Sequence, residues 1–208
     1  METTASRKRF LAAAGGSVTL ALAACGSSKQ QPTPGGSNPN TGAGLGTDQF
    51  GKGDIGVLGY ALTLEYLEAD FYAKALASGK LSGQAAAFAR SFHADELQHI
   101  ATLEAAIRGI GGQPPKRPKT QFQLTDQTSI LQVASTLEGM GADAYLAQVA
   151  RFESKSLLST ALTIHTVEGR HAAAINSLAG ADIAPDGAFP RPALASDVLE
   201  QLKVFVTQ

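Results

Sequence analysis

"HADELQH", residues 93–99, and "HTVEGRH", residues 165–171, share one skeleton of His, two residues, Glu, two residues, His, and together they contain all four histidines of the chain. Each sits in a stretch with helical period. The first lies in a segment capped by Ser82 and stopped at Gly111-Gly112, with Ala85, Ala89, Phe92, Glu96, His99, Leu103 and Ile107 on one face. The second lies in a segment from a Ser154 cap to about Ala179, with Leu157, Ala161, Ile164, Glu168, His171, Ile175 and Leu178 inward.

Working outward, each of these segments has a helical predecessor. The stretch from Asp54 to Gly79 aligns Leu58, Leu62, Glu65, Ala69, Tyr72 and Leu76, with Asp54 as the expected cap and Gly79 as the stop. A third helix is expected over 129–151, with Leu131, Ala134, Glu138, Ala142, Tyr145 and Val149 on one face. Between the two pairs, residues 113–128 carry three prolines and no period, which marks a long crossover loop. The basic "KRPK" within it reads as a solvated loop. A Pro/Gly-rich turn and a short amphipathic helix capped by Ser196 complete the chain.

Every long stripe is apolar except for a Glu in its middle. A buried carboxylate without a partner is costly or gives up its charge. Four at matching depth call for one common explanation. The spacings supply it: Tyr72 follows Glu65 by seven and Tyr145 follows Glu138 by seven, while His99 follows Glu96 by three and His171 follows Glu168 by three. These steps are close to whole helical turns, so the groups share a face. The chain therefore carries two copies of one helical hairpin, the first helix bringing Glu-x6-Tyr and the second Glu-x2-His. Nine glutamates and four histidines predict only about 0.2 Glu-x2-His pairs by chance, and two occur.

This set resembles the ferritin-like di-iron and di-manganese carboxylate bundles, in which one Glu from each of two helices meets a Glu-x2-His from each of the other two. Within the ferritin-like superfamily, "LTLEYLEADFYAKAL", "ADELQHIATLEAAI" and "TVEGRHAAAI" are similar to the group that includes plant desiccation-related proteins and many exported bacterial proteins. The second also resembles the corresponding helix of bacterioferritins. The likeness spans roughly residues 50 to 185. It implies an all-α, ferritin-like four-helix bundle of two hairpins joined by a long crossover, plus a short C-terminal helix. It also implies two divalent metal ions, iron foremost and manganese as the other candidate. Four carboxylates, about −4, balance two such ions, and oxygen donors with some imidazole suit these metals. Glu96 and Glu168 are then the expected bridges, Glu65 and Glu138 the terminal carboxylates, and His99 and His171 the imidazoles, one per metal. Six side chains leave positions for oxygen, peroxide or water.

Tyr72 and Tyr145 are candidates for bonding ligand carboxylates, or are ordinary core tyrosines. His93 and His165 are candidates for orienting ligands, or for hydrogen bonds across a helix interface. Glu68 rivals Glu65, but only Glu65 has a Tyr at plus seven, as Glu138 does. The absence of Cys-x2-Cys pairs leaves out the rubredoxin-type module of rubrerythrins. Two kinds of function follow: a di-iron oxidoreductase or ferroxidase acting on ferrous ion, oxygen or peroxide, or a non-catalytic stress- or desiccation-related envelope protein with a structural metal site or none. A formal net charge of −1 gives no field for nucleic acid. A homo-oligomer is compatible with the sequence.

The N-terminal region reads as an export signal. "RKR" at 7–9 precedes an apolar run that is short for a membrane span and ends in "LAAC", Leu22 to Cys25. That order of features is a lipobox, so residues 1–25 are expected to be a lipoprotein signal peptide with Cys25 acylated. "SRKRFL" is also similar to a twin-arginine signal, with Lys8 where the second arginine belongs. Residues 26–50 are read as a disordered Gly/Ser/Pro linker, since residues 26–47 contain almost nothing apolar. The folded domain is expected over 51–208. The chain would then sit outside the cytoplasm, lipid-anchored to the cell envelope, periplasmic or on the outer face of the plasma membrane. Cys25→Ser should release the protein from membranes or block its processing. Mass spectrometry that finds an unmodified N-terminus well beyond Cys25 would sink this expectation.

Overall fold

The computed structural model describes residues 46–207, so the expected signal peptide, Cys25 and most of the expected linker lie outside the described residues. Four long helices run as α1 (Gly53–Ala77), α2 (Gly83–Gly109), α3 (Gln127–Gln148) and α4 (Lys155–Leu178), followed by a short α5 (Ala195–Leu202). Short turns join α1 to α2 and α3 to α4, which makes each pair an antiparallel hairpin. Across the bundle α1 faces α3 and α2 faces α4. Among the described residues, no helix is long and apolar enough to cross a membrane.

The expected inward stripes are buried at most positions, but α1 is buried nearly all round. Val57, Tyr60, Leu64, Tyr66, Leu67 and Phe71 are as enclosed as the stripe positions Leu58, Leu62 and Tyr72. A helix covered on every side needs apolar residues on every side. Here α2 and α3 take two flanks, while the crossover and the N-terminal turn take the rest. That turn is a 3-10 helix, Thr47–Phe50. It shortens the expected linker, because Thr47 is fully buried and Phe50 packs on Tyr60. The turn can lie this close because Gly56 has no side chain: a Cβ there would meet the carbonyl oxygen of Gly51 at 2.2 Å.

Several caps differ from expectation. Asp54 does not cap α1, whose N-cap is Lys52. Instead its carboxylate reaches across to the other hairpin and accepts from the backbone N–H of Glu153 at 2.8 Å and of Ser154 at 3.0 Å. Ser82 takes the N-cap position of α2, but its hydroxyl bonds Gln127 rather than its own helix. Helix α3 starts two residues early because Asp126 and Ser129 form a reciprocal capping box, and its last turn tightens into a 3-10 segment, Val149–Arg151. Ser154 caps α4 as expected. The N-cap of α5 is Leu194, not Ser196.

The crossover is not a free loop. Lys119–Thr120 (β1) pairs antiparallel with Val206–Thr207 (β2), so the chain end closes over the connection. Lys74 donates to the carbonyl and hydroxyl of Thr120, and Phe122 packs between Phe71 and Phe205. The "KRPK" stretch is largely exposed, and its Arg117 lies over the Tyr66 ring at 4.5 Å.

Asp54→Ala should separate the cost of the link between hairpins from the rest of the fold. Loss of two charge-assisted bonds to backbone N–H groups is expected to cost about 1–2 kcal/mol. At about 2–4 °C per kcal/mol for a domain of this size, the thermal midpoint should fall by several degrees. An unchanged midpoint would show that water replaces the carboxylate without penalty.

Candidate metal centre

Each long helix delivers one Glu to the same level of the core. Glu65, Glu96, Glu138 and Glu168 are all completely buried, and His99 and His171 are 8% and 4% exposed. The three-residue step in α2 and α4 sets each His one turn beyond its Glu on the same face. The ring nitrogen Nδ1 of His99 lies 3.0 Å from Glu65 Oε2, 2.9 Å from Glu96 Oε2 and 3.3 Å from Glu168 Oε1. On the other side, Nδ1 of His171 lies 3.1 Å from Glu96 Oε1 and 3.3 Å from Glu138 Oε2. The structure thus brings all six expected side chains together.

They fall into two overlapping groups, Glu65–Glu96–His99–Glu168 and Glu96–Glu138–Glu168–His171, with one donor atom from each member within 4.8 Å of the others in its group. Glu96 and Glu168 belong to both. The two tyrosines cross between hairpins: Tyr145 of α3 donates to Glu65 Oε1 at 2.5 Å, and Tyr72 of α1 donates to Glu138 Oε1. The seven-residue step puts each hydroxyl at the height of the carboxylate on the opposite first helix.

The donor atoms are suited to a cation. Glu96 Oε1, Glu138 Oε2, both oxygens of Glu168 and His171 Nδ1 are buried without a hydrogen-bond partner among the described residues. Buried polar atoms are rarely left so. His171 Nδ1 is close to Glu96 Oε1 and Glu138 Oε2 but aligned to hydrogen-bond neither. Apart from His99 Nδ1, which hydrogen-bonds Glu65 Oε2 and Glu96 Oε2, these atoms converge on one space without bonding one another, as donors around a shared positive ion do. This buried Glu/His group could hold a metal ion.

Electrostatics agree. Burial raises the Glu65 carboxyl to about 8, the nearby Glu96 charge adding to it while His99 opposes. Burial, with the charge of Glu65 next, drives Glu168 well above the usual carboxylate range, and burial also raises Glu138. Glu96 is the exception: burial pushes it up, but the imidazoles of His171 and His99 beside it outweigh that and hold it at about 2. Burial works against charging the imidazoles, yet the surrounding carboxylates, Glu168 first for His99 and Glu138 first for His171, lift them to about 12 and about 10. Without a cation, the cluster neutralises itself by taking up protons.

Three further groups were not singled out as site residues by the pattern. Asp95 Oδ2 lies 3.3 Å from His171 Nε2, and Phe92 stacks on the same imidazole with ring centroids 3.8 Å apart. One residue before Glu in the other copy stands Val167, so His99 has no such carboxylate. Glu68, set aside in favour of Glu65, is also buried. The signal for both acidic residues was their step from a ligand position, but only packing tells a neighbouring carboxylate that turns inward from one that stays in solvent. His93 and His165 are half-buried and bond none of the six side chains; His165 Nδ1 is buried without a hydrogen-bond partner among the described residues. Glu104 bonds Tyr66 and Arg108.

One open cleft reaches the centre. It has a volume of about 470 Å³ and lies between α2 and α4, with Phe92, Asp95, His99, Val167, Arg170 and His171 among its walls.

These shifts set the sign of the pH dependence of the cation-free protein. Glu65 gains protons on folding, so stability falls as pH rises from the unfolded carboxyl value through about 8. The imidazole contributions are fully present below about 6.5 and are lost as pH rises through about 10 and about 12. Glu96 has the opposite sign, but its window lies in strong acid. Chelator-treated protein should therefore melt lower at pH 9 than at pH 6, by at least about 3 °C, or roughly 1 kcal/mol. With saturating manganous ion the trend should reverse, because the cation displaces those protons. A chelated midpoint that is flat or rises over this range contradicts the assignment.

The architecture and the site can be set beside known proteins. A sequence profile described as a ferritin-like domain matches residues 53–181, which hold all four long helices and all six side chains. The crystal structure of a conserved hypothetical protein, rv2844, from Mycobacterium tuberculosis is similar in fold, with a TM-score of 0.56 and 19% sequence identity. The match covers 67% of this chain and 94% of that one. No protein with a curated description matches the chain. The chain belongs to the ferritin-like domain family.

Proposed function

We propose that the protein is a di-metal carboxylate protein that binds two divalent cations, iron foremost and manganese as the alternative, and oxidises ferrous ion or reduces oxygen or peroxide. The observation that carries this reading is the set of buried oxygens and one imidazole nitrogen that converge without hydrogen-bond partners. Glu65 and His99 would serve one ion, Glu138 and His171 the other, and Glu96 and Glu168 both. When bound, such a pair supplies one-electron redox chemistry at a site open to small oxidants.

The chain's own groups have defined tasks in this reading. Tyr145 and Tyr72 fix the outer carboxylates Glu65 and Glu138 by donating to their Oε1 atoms, which leaves Oε2 facing inward. Phe92 and Asp95 hold His171 with Nδ1 toward the carboxylates. The apolar surround of α1 keeps bulk water from that side, and the α2–α4 cleft admits small molecules from the other. That cleft favours a reactive centre over a purely structural staple, because a staple needs no approach.

The proposal also places the protein outside the cytoplasm, held to the envelope by a lipid on Cys25. It rests on the lipobox-like "LAAC" and the Gly/Ser/Pro-rich segment that follows.

Elemental analysis after purification without added metal, followed by oxygen-uptake measurements with ferrous ion, tests the reading. The wild type is expected to carry up to two metal equivalents and to consume oxygen. Glu96→Ala and Glu168→Ala should lose metal most completely, since each serves both groups. Glu168→Ala should keep a cation-free stability near that of the wild type, because it deletes a repelling carboxylate, whereas Glu96→Ala should lower it by removing the charge that both imidazoles face. Metal uptake without oxygen consumption would favour the non-catalytic alternative. A wild type whose melting does not respond to saturating ferrous or manganous ion would end the di-metal reading.

A further inference from the structure

Two copies of one hairpin should present matched residues around the centre, and at one pair of positions they do not. Glu68 follows Glu65 by three residues, whereas the residue three after Glu138 is Gly141. The fold sets these two positions against each other. A Cβ on Gly141 would lie 2.8 Å from Glu68 Oε1 and 3.0 Å from Glu168 Oε2. The side chain missing from α3 is thus the space into which a carboxylate from α1 projects, beside a carboxylate that both donor groups share.

Glu68 is 3% exposed, and its Oε2 has no hydrogen-bond partner among the described residues. Oε2 of Glu168 has none either. The small cavity next to Glu68 and Gly141 is otherwise lined by Leu64, Leu67, Leu137, Met140 and Leu202. Packing does not account for Glu68, since Leu or Met would fill such a place without an unpartnered polar atom. A basic partner does not account for it either, because the groups that act on Glu68 are the carboxylates of Glu168, Glu65, Glu96 and Glu138. Glu168 faces two ways: its Oε1 is 3.3 Å from His99 Nδ1, while its Oε2 points to the Gly141 slot.

We propose that Glu68 is a seventh cation ligand, acting with Glu168 to take a divalent cation on the α1–α3 side of the centre, where the missing side chain of Gly141 lets the two carboxylates approach. This rests on the di-metal reading above and extends it. The centre is lopsided: α1 contributes two carboxylates and α3 one. Hard oxygen donors facing each other in an apolar wall select a divalent cation such as manganous or ferrous ion over a softer metal.

Calorimetric titration of the full chain with manganous ion tests this, alongside melting of the chelated protein. Glu68→Gln keeps the shape and the hydrogen-bonding capacity of a neutral carboxyl but removes a ligand oxygen. It should weaken the most loosely held manganous ion by at least about tenfold, without lowering the chelated midpoint. Gly141→Ala puts a side chain against the two carboxylates and should shift the titration the same way. Moving the carboxylate across the pseudo-twofold, with Glu68→Gly and Gly141→Glu together, should recover part of what Glu68→Gly alone loses. If Glu68→Gln titrates like the wild type while Glu96→Ala abolishes binding, Glu68 is not a ligand and the dinuclear reading stands. If the wild type takes up no manganous or ferrous ion, both fall together. Should Glu68→Gln not fold, Gly141→Ala and the exchanged pair still decide, and wild-type titration curves from both would overturn the proposal.

Discussion

Concentrating five carboxylates and two imidazoles in one core is the constraint to which the rest of this bundle answers. In a low-dielectric interior the carboxylates repel, and each unpartnered oxygen is costly. The chain can meet that condition by protonation or by binding cations, and both leave the same positions occupied by positive charge. Geometry favours the second. A network built for shared protons would align every nitrogen and hydroxyl with the oxygens it serves, as Tyr145 aligns with Glu65 and His99 with Glu65 and Glu96. His171 Nδ1 and both oxygens of Glu168 do not align with anything among the described residues.

The same constraint explains where the apolar residues went. The polar cluster occupies the middle of the bundle, so two separate hydrophobic cores form around it. One gathers Tyr60, Phe71, Tyr72, Phe92 and Ile130 with α5. The other gathers Leu58, Leu62, Leu103, Ile107 and Tyr145. Helix α1 serves both, which is why it is apolar on every side. The closing elements, α5 and the β1–β2 pair, lie over the crossover and seal the side of α1 that the four long helices leave bare.

Much of this was legible in the sequence because the information is periodic. Steps of three and seven residues place Glu, His and Tyr on known faces whatever else the chain does, so the hairpin repeat follows from spacing, and the likeness to ferritin-like bundles implies the meeting of six side chains across the hairpins. Features without a period were not legible. Asp54 looks like a local cap, and only the tertiary fold brings the start of α4 within its reach. The two-residue strand pair joins residues 119–120 to 206–207 and has no local signature at such length. In the sequence Glu65 and Glu68 look like alternatives, one facing in and the other out. A three-residue step is only about 60° from a full turn, so both can be buried when a helix is enclosed on all sides.

Departures from internal symmetry carry information that the symmetric part does not. The repeat alone would give two equivalent halves, each with one outer Glu, one shared Glu, one His and one Tyr. Two substitutions break that equivalence. Asp95 stands behind His171 while Val167 occupies the matching place for His99, and Glu68 projects where its counterpart Gly141 has no side chain. Each exchanges an acidic residue for a small or apolar one, and each does so within contact of the centre. Drift at solvent-facing positions would not be expected to empty a helix position just where the opposite hairpin inserts a buried carboxylate. The two changes instead give the halves different tasks. One imidazole, His171, is contacted by Phe92 and Asp95, and one carboxylate, Glu168, has Glu68 as a further acidic neighbour. The halves around the buried Glu/His group are therefore chemically unequal, although the repeat that builds them is symmetric.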